Sequence, residues 1–121
     1  MSADWNDDIA IAELADEPAL SEELSDLLAR VETCEPQQTP HIVLNFQEVT
    51  YLNSSNIAQL LRLRTLLSGA DRHLRICNLV DAVWSVFMVT GLDKVFEFFP
   101  NQAVAIASLQ IEKAEHDTPQ S

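Results

Sequence analysis

A chain of 121 residues that is 47% apolar is long enough for one domain with a real core and too short for two. Its net charge of −12 repels nucleic acid and anionic lipid alike, which leaves a protein as the partner to expect. No run approaches the roughly 18 uncharged apolar residues of a membrane span, because the most apolar stretch, Val83 to Leu92, is fenced by Asp81 and Asp93. With no basic and apolar leader at its start either, the chain is expected in the cytoplasm.

Residues 8–15 carry Ile9, Ile11 and Leu14 in an alternating pattern and predict a short strand, although alanine is a weak strand former. Pro18 suits the first turn of a helix. Leu20, Leu24, Leu27, Leu28 and Val31 then recur at helical spacing, with Glu22, Glu23, Asp26 and Arg30 on the water side. The proline-bounded polar run from Glu35 to Pro40 ends that helix. Ile42 to Phe46 is a nearly continuous apolar run, the pattern of a strand covered on both faces.

Gln47 to Asn53 connects that strand onward, with Val49, Tyr51 and Leu52 still to bury. A helix from Ser55 to about Ser68 places Ile57, Leu60, Leu61 and Leu67 on one face, and Gly69 suits its left-handed C-terminal cap. A strand over Leu74–Leu79, an apolar helix from Asp81 to Thr90, a stop at Gly91 and a strand over Val95–Phe98 follow. Asn101 caps a last helix over Gln102–Gln110, ahead of a polar tail from 111 to 121.

This alternation predicts an α/β fold, a mainly parallel central sheet of about four strands with about four helices packed on it. One domain is expected, with a core from about residue 8 to about 110, an acidic N-terminus and the polar tail. The acidity is local: residues 1–40 hold eleven acids against Arg30 alone, whereas from His41 to Pro100 five acids balance five bases.

Little in the chain points to catalysis. Only two glycines are present, so neither a Walker A loop nor a Gly-x-Gly-x-x-Gly turn can be built. There is no Gly-x-Ser-x-Gly elbow. Cys34 and Cys77 lie far apart, and His41, His73 and His116 do not cluster, so no metal site or cofactor is expected. Cys77, within an apolar strand pattern, reads as core packing. The chain is expected not to be an enzyme.

What stands out is Asn53-Ser54-Ser55-Asn56, where a strand hands over to a helix. The first N–H groups of a helix are unpaired and its dipole favours negative charge there. A hydroxyl at this place has two uses: it caps the helix, worth about 0.5–2 kcal/mol against alanine, or it carries a phosphate.

The segments His41-Ile-Val-Leu-Asn and Val49-Thr-Tyr-Leu-Asn-Ser-Ser-Asn-Ile resemble the signature of the STAS domain, as found in bacterial anti-sigma factor antagonists. There a hydrophobic strand leads through a short loop into Asp-Ser-Ser-Gly and a leucine-rich helix. Leu74-Arg-Ile-Cys-Asn-Leu is similar to that family's next strand, and the run from Val83 to Phe96, with Thr90-Gly-Leu as its hinge, to its third helix. The likeness covers about residues 41 to 110 and is weaker before that.

The resemblance implies a STAS-like fold and a signalling protein that binds a partner reversibly. By it, Ser54 is the residue phosphorylated by a serine kinase that is also the anti-sigma factor, and phosphorylation breaks the complex. Asn53, Ser54, Ser55, Asn56 and Gln59 would form the docking face. Two residues depart from the family pattern: Asn53 stands for its aspartate and Asn56 for its glycine. Asparagine keeps a capping oxygen and tolerates left-handed backbone, but it carries no charge. The alternative is a STAS scaffold or oligomerisation module without phosphorylation. Trp84, Phe87, Met88, Phe96, Phe98 and Phe99 are either core or an apolar face for a partner or a second copy, which makes a homodimer a candidate assembly.

Overall fold

A computed structural model of the chain describes residues 8–117, with side chains described as far as Ile111. Asp4 and Asp7 of the acidic N-terminus, and the end of the predicted tail from 118 onward, lie outside the described residues. The order is β1 (Ile9–Ala15), α1 (Ala19–Thr33), β2 (His41–Glu48), α2 (Ser54–Gly69), β3 (Leu74–Cys77), α3 (Asp81–Val89), β4 (Glu97–Phe99) and α4 (Gln102–Asp117). Short 3-10 turns at Pro36–Gln38 and Leu92–Lys94 complete it.

The strands lie in the order β1-β2-β3-β4 and every pair is parallel, with Ile11 opposite Val43, Val43 opposite Arg75, and Ile76 opposite Phe98. Parallel neighbours need a crossover, and α1, α2 and α3 supply the three, while α4 follows the last strand. All turns that leave a strand and enter a helix therefore gather at one edge of the sheet.

Both faces are covered. Ala10, Ala12, Leu14, Ile42, Leu44, Phe46 and Ile76 pack against the apolar stripes of α1, α2 and α3. Val43 and Cys77, with Ile9, Ile11 and Phe99, pack against Ala105, Ile106 and Leu109 of α4. This explains the uneven look of β1: its isoleucines turn to α4, while its alanines sit beneath α1 and α2. In α1 all five expected residues, Leu20, Leu24, Leu27, Leu28 and Val31, are buried. Phe87 of α3 is the hub of an aromatic cluster, with ring centroids 5.7 Å from Phe96, 5.0 Å from Phe98 and 6.5 Å from Phe46. Met88 and Val89, on the outer side of α3, remain exposed.

The structure corrects several expectations. The left-handed residue after α2 is Asp71, at φ 60°, not Gly69, which stays helical. Arg72 N–H reaches Leu67 O at 2.8 Å and Asp71 N–H reaches Ser68 O at 3.0 Å, so the helix ends in a Schellman motif whose left-handed residue lies beyond Gly69, at Asp71. Buried Leu63 joins Leu60 and Leu67 as an inward residue of α2, with Leu61 half-buried against the core. Glu23 is half-buried rather than in water, and burial pushes its carboxyl up. Strand β3 stops at Cys77, where Asn78 takes φ 59°, and β4 lies over Glu97–Phe99. The expected tail is helical as far as Asp117, so α4 is longer than its capped start indicated. Arg75 is 1% exposed, held on the α4 face by Glu97 and by the Phe99 ring, 5.5 Å from the guanidinium carbon.

Candidate functional site

Strand β2 delivers the chain to its C-terminal edge at Glu48, and Val49 and Leu52 are pulled into the core. That anchoring throws the residues between them outward. Thr50 donates its N–H (2.8 Å) and its hydroxyl (2.6 Å) to the Asp16 carboxylate, which closes β1. Those bonds, the hydroxyl first, hold Asp16 below the usual carboxylate range. Tyr51, expected to bury its ring, is 64% exposed. No local pattern distinguishes it from Val49 and Leu52; only the geometry of the turn does.

Asn53 is the N-cap of α2, in extended backbone. Its Oδ1 accepts from Asn56 N–H at 2.8 Å, and Asn56 Oδ1 accepts from Asn53 N–H at 3.0 Å, a reciprocal capping box built from two asparagines. The cap therefore belongs to Asn53 and Asn56, and the serines are spared the task. Ser54 and Ser55 are both exposed, and among the described residues neither hydroxyl makes a hydrogen bond. Their N–H groups belong to the first turn, which has no intrahelical acceptors.

Asn56 is completely buried. Its Nδ2 donates to Glu17 Oε2 (3.2 Å) and Ser21 Oγ (3.4 Å), while Asn53 Nδ2 reaches the same Glu17 oxygen at 3.5 Å. Glu17 in turn accepts from Ser21 N–H at 2.7 Å and from the Ser21 hydroxyl. These donors, the Ser21 hydroxyl first, hold the Glu17 carboxyl low. Gln59, half-buried one turn on, donates to Ser21 O at 3.2 Å and Ser25 Oγ at 3.1 Å. The starts of α1 and α2 are thus sewn together, with Ser54 and Ser55 outside the stitching.

Of the five residues singled out by sequence, Ser54 and Ser55 present side chains to solvent and Asn53 and Gln59 stand half-buried beside them. Asn56 lies beneath and offers a docking protein no surface. Asp16, Glu17 and Ser21 escaped the sequence reading because they join the site across 34 to 39 residues. Farther along the same edge, Asn45 Nδ2 donates to Gln102 Oε1 at 3.1 Å, and Asn45 Oδ1 accepts from Asn78 Nδ2 at 3.2 Å and Gln47 N–H at 2.9 Å. The signal for this cluster was present: an asparagine in the middle of an apolar strand needs buried partners.

Two of the histidines are remote. His41 and His73 stack at the other edge of the sheet, centroids 5.3 Å apart. Among the described residues no group of three or more His, Cys, Asp or Glu side chains could hold a metal ion. No helix among them is long and apolar enough to cross a membrane.

The STAS domain family matches residues 13–105 of this chain. The chain belongs to the STAS domain family. Solved structures agree with its fold. An RsbS variant from Moorella thermoacetica superposes with TM-score 0.76 at 12% identity, covering 93% of this chain and 96% of that one. An anti-sigma-factor antagonist STAS domain protein from Planctomyces limnophilus gives 0.71 at 16% identity, covering 84% and 91%. The Bacillus cell fate determinant SpoIIAA, in its phosphorylated form, gives 0.66 at 15%, covering 88% and 96%. In this STAS domain the four-stranded parallel sheet and the four helices are the family's arrangement, and Ser54 opens the helix that follows its second strand.

Proposed function

We propose that this STAS domain is an anti-sigma factor antagonist that binds a serine-kinase-like anti-sigma factor reversibly and is released when Ser54 is phosphorylated. The observation that carries the proposal is the division of labour at the start of α2. Asn53 and Asn56 do the capping, which leaves the Ser54 hydroxyl exposed and without a structural bond of its own. A kinase can reach it, and its modification costs the fold nothing.

The switch acts on the interface. A phosphate brings about −1.5 to −2 charges to the docking edge. The helix N-terminus tolerates it in the free protein. A partner already packed against Ser54 has to accommodate a hydrated dianion beside Asp16 and Glu17, and the fit is lost. Tyr51, exposed two residues before the cap, supplies the aromatic contact that interfaces favour.

The test has two parts. Incubation with an anti-sigma-type serine kinase and ATP should add one phosphate that fragment mass spectrometry places on Ser54. Ser54→Asp should weaken binding to that partner by about tenfold or more in calorimetry. A chain that takes up no phosphate, or binds equally well as Ser54→Asp with its fold intact, refutes the switch. The rival reading, a scaffold or oligomerisation module without phosphorylation, draws on the uncharged Asn53 and on exposed Met88 and Val89. It predicts the same unmodified mass together with self-association in light scattering.

A further inference from the structure

A second feature shares the edge that carries Ser54. Between the end of β3, the start of α3 and the end of β4 lies an open cleft of about 320 Å³ lined by Leu79, Asp81, Trp84, Phe98, Phe99 and Pro100. The Trp84 and Phe98 rings stand nearly perpendicular, at 83° with centroids 5.0 Å apart, and form an aromatic corner. Both are half-buried, so each is held in place yet keeps part of its ring at the surface. Asp81, exposed at the first turn of α3, is the one ionisable residue in the lining, and among the described residues nothing pairs with it.

The chemistry of this corner selects its occupant. An anion is repelled by Asp81 and by the −12 charge of the chain. A purely apolar side chain would cover the Asp81 carboxylate and give it nothing in return. A cation on an apolar stem meets both demands: its stem lies along Leu79 and Pro100, its charge faces the rings, and its N–H groups reach the carboxylate. A guanidinium does this better than an ammonium, because it is planar, stacks on an aromatic face and pairs with a carboxylate through two parallel bonds.

We propose that the Trp84–Phe98–Asp81 corner receives one arginine side chain of the protein that docks at the Ser54 edge. The proposal rests on the docking reading given above and adds to it a second, charge-selective anchor farther along the edge that carries Ser54. Charge complementarity supports that occupant: residues 1–40, which include α1 next to the docking edge, hold a single base, so a partner covering this edge has to bring the positive groups itself.

The experiment needs no partner. The isotopically labelled protein is titrated with N-acetyl-arginine amide and with its neutral isostere N-acetyl-citrulline amide, while the Trp84 indole N–H and the Phe98 and Phe99 amides are followed by NMR. A saturable shift with the arginine probe, at least about tenfold weaker with citrulline and lost in Asp81→Asn, supports the corner as a guanidinium receptor. Asp81 is exposed, so the fold of the variant should persist, which circular dichroism checks. Equal responses to the two probes, no saturation, or an unchanged response in Asp81→Asn overturns the proposal. So does a change in self-association caused by Asp81→Asn in light scattering without any probe, which would make a second copy the occupant. Failure here leaves the Ser54 reading standing, and failure to phosphorylate Ser54 leaves the probe titration unaffected, so the two ideas fall separately.

Discussion

Replacing Asn56 by alanine tests the division of labour on which the docking reading stands. The substitution removes Oδ1, which accepts from Asn53 N–H at 3.0 Å, and Nδ2, which donates to Ser21 Oγ at 3.4 Å and to Glu17. Removing that acceptor leaves the half-buried Asn53 N–H unpaired, which costs about 2 kcal/mol. Loss of the contact with Ser21 and the small void at a fully buried site add a few tenths, and alanine's better helix propensity takes away about as much. The expected loss is therefore about 2 kcal/mol, or about 8 °C in Tm for a domain of this size. Urea denaturation followed by circular dichroism, compared at constant slope, measures it directly. The paired control is Ser54→Ala, expected to change stability by less than about 0.5 kcal/mol because its side chain is exposed and makes no bond. If Ser54→Ala costs as much as Asn56→Ala, then Ser54 is the cap, its hydroxyl is occupied, and the reasoning is wrong.

The two glycines should respond in opposite directions. Gly69 is helical with open space where a Cβ would sit, so Gly69→Ala should stabilise by about 0.5–1 kcal/mol, whereas Gly91, at φ 77°, should lose about 1 kcal/mol as alanine; thermal melts decide both. Burial pushes the Cys77 thiol up to about 11, so a thiol reagent at neutral pH should modify half-buried Cys34 in the native protein and Cys77 only after unfolding, with two fast thiols in the native state counting against the fold of β3. Acid stability should depend on Asp16, whose carboxyl is held below 3.8 by Thr50: its contribution is complete above that value and lost as pH falls through the lower folded value, so Asp16→Asn should flatten the acid limb of a urea-midpoint profile. Glu23 has the opposite sign, since burial raises its carboxyl above 4.5 and penalises the folded state once pH passes that range; Glu23→Gln should raise the urea midpoint at neutral pH and leave it unchanged in acid.

Local signals were legible where one element decides the outcome. The leucines of α1, the cap at Asn101, whose Oδ1 accepts from Val104 N–H at 2.9 Å, and the left-handed stop at Gly91 all follow from short-range rules, and the structure agrees. The misses share another cause. Gly69 invited a left-handed cap, yet it is the last helical residue and the left-handed position falls at Asp71, next to Arg72, whose Nε bonds Thr39 O at 2.6 Å across 33 residues on the approach to β2. Tyr51 looked like its apolar neighbours because nothing in Val49-Thr-Tyr-Leu says which residue a tight turn will expel. Nothing local announced the burial of Arg75, since the residues that make it tolerable, Glu97 and Phe99, lie on a different strand.

The same distinction governs the site itself. Sequence located the junction and its serines, and it flagged two departures: Asn56 in the place of a glycine, and Asn53 in the place of an aspartate, which costs the junction a negative charge. The structure places that charge elsewhere. The Glu17 carboxylate, from the turn before α1, accepts from the side-chain amides of both asparagines and so stands at the N-terminus of α2 where the dipole favours an anion. A side chain at position 56 is then no obstacle at the surface, because it is drawn inward to meet Glu17 and Ser21. The pairing also ties two elements together: whatever displaces Glu17 loosens the starts of α1 and α2 at once. Within the proposed switch, a phosphate on Ser54 adds its charge on the outer side of a helix start whose inner side already holds a carboxylate. The free protein can hydrate that phosphate, but a partner seated on Ser54 must either supply cations for it or leave.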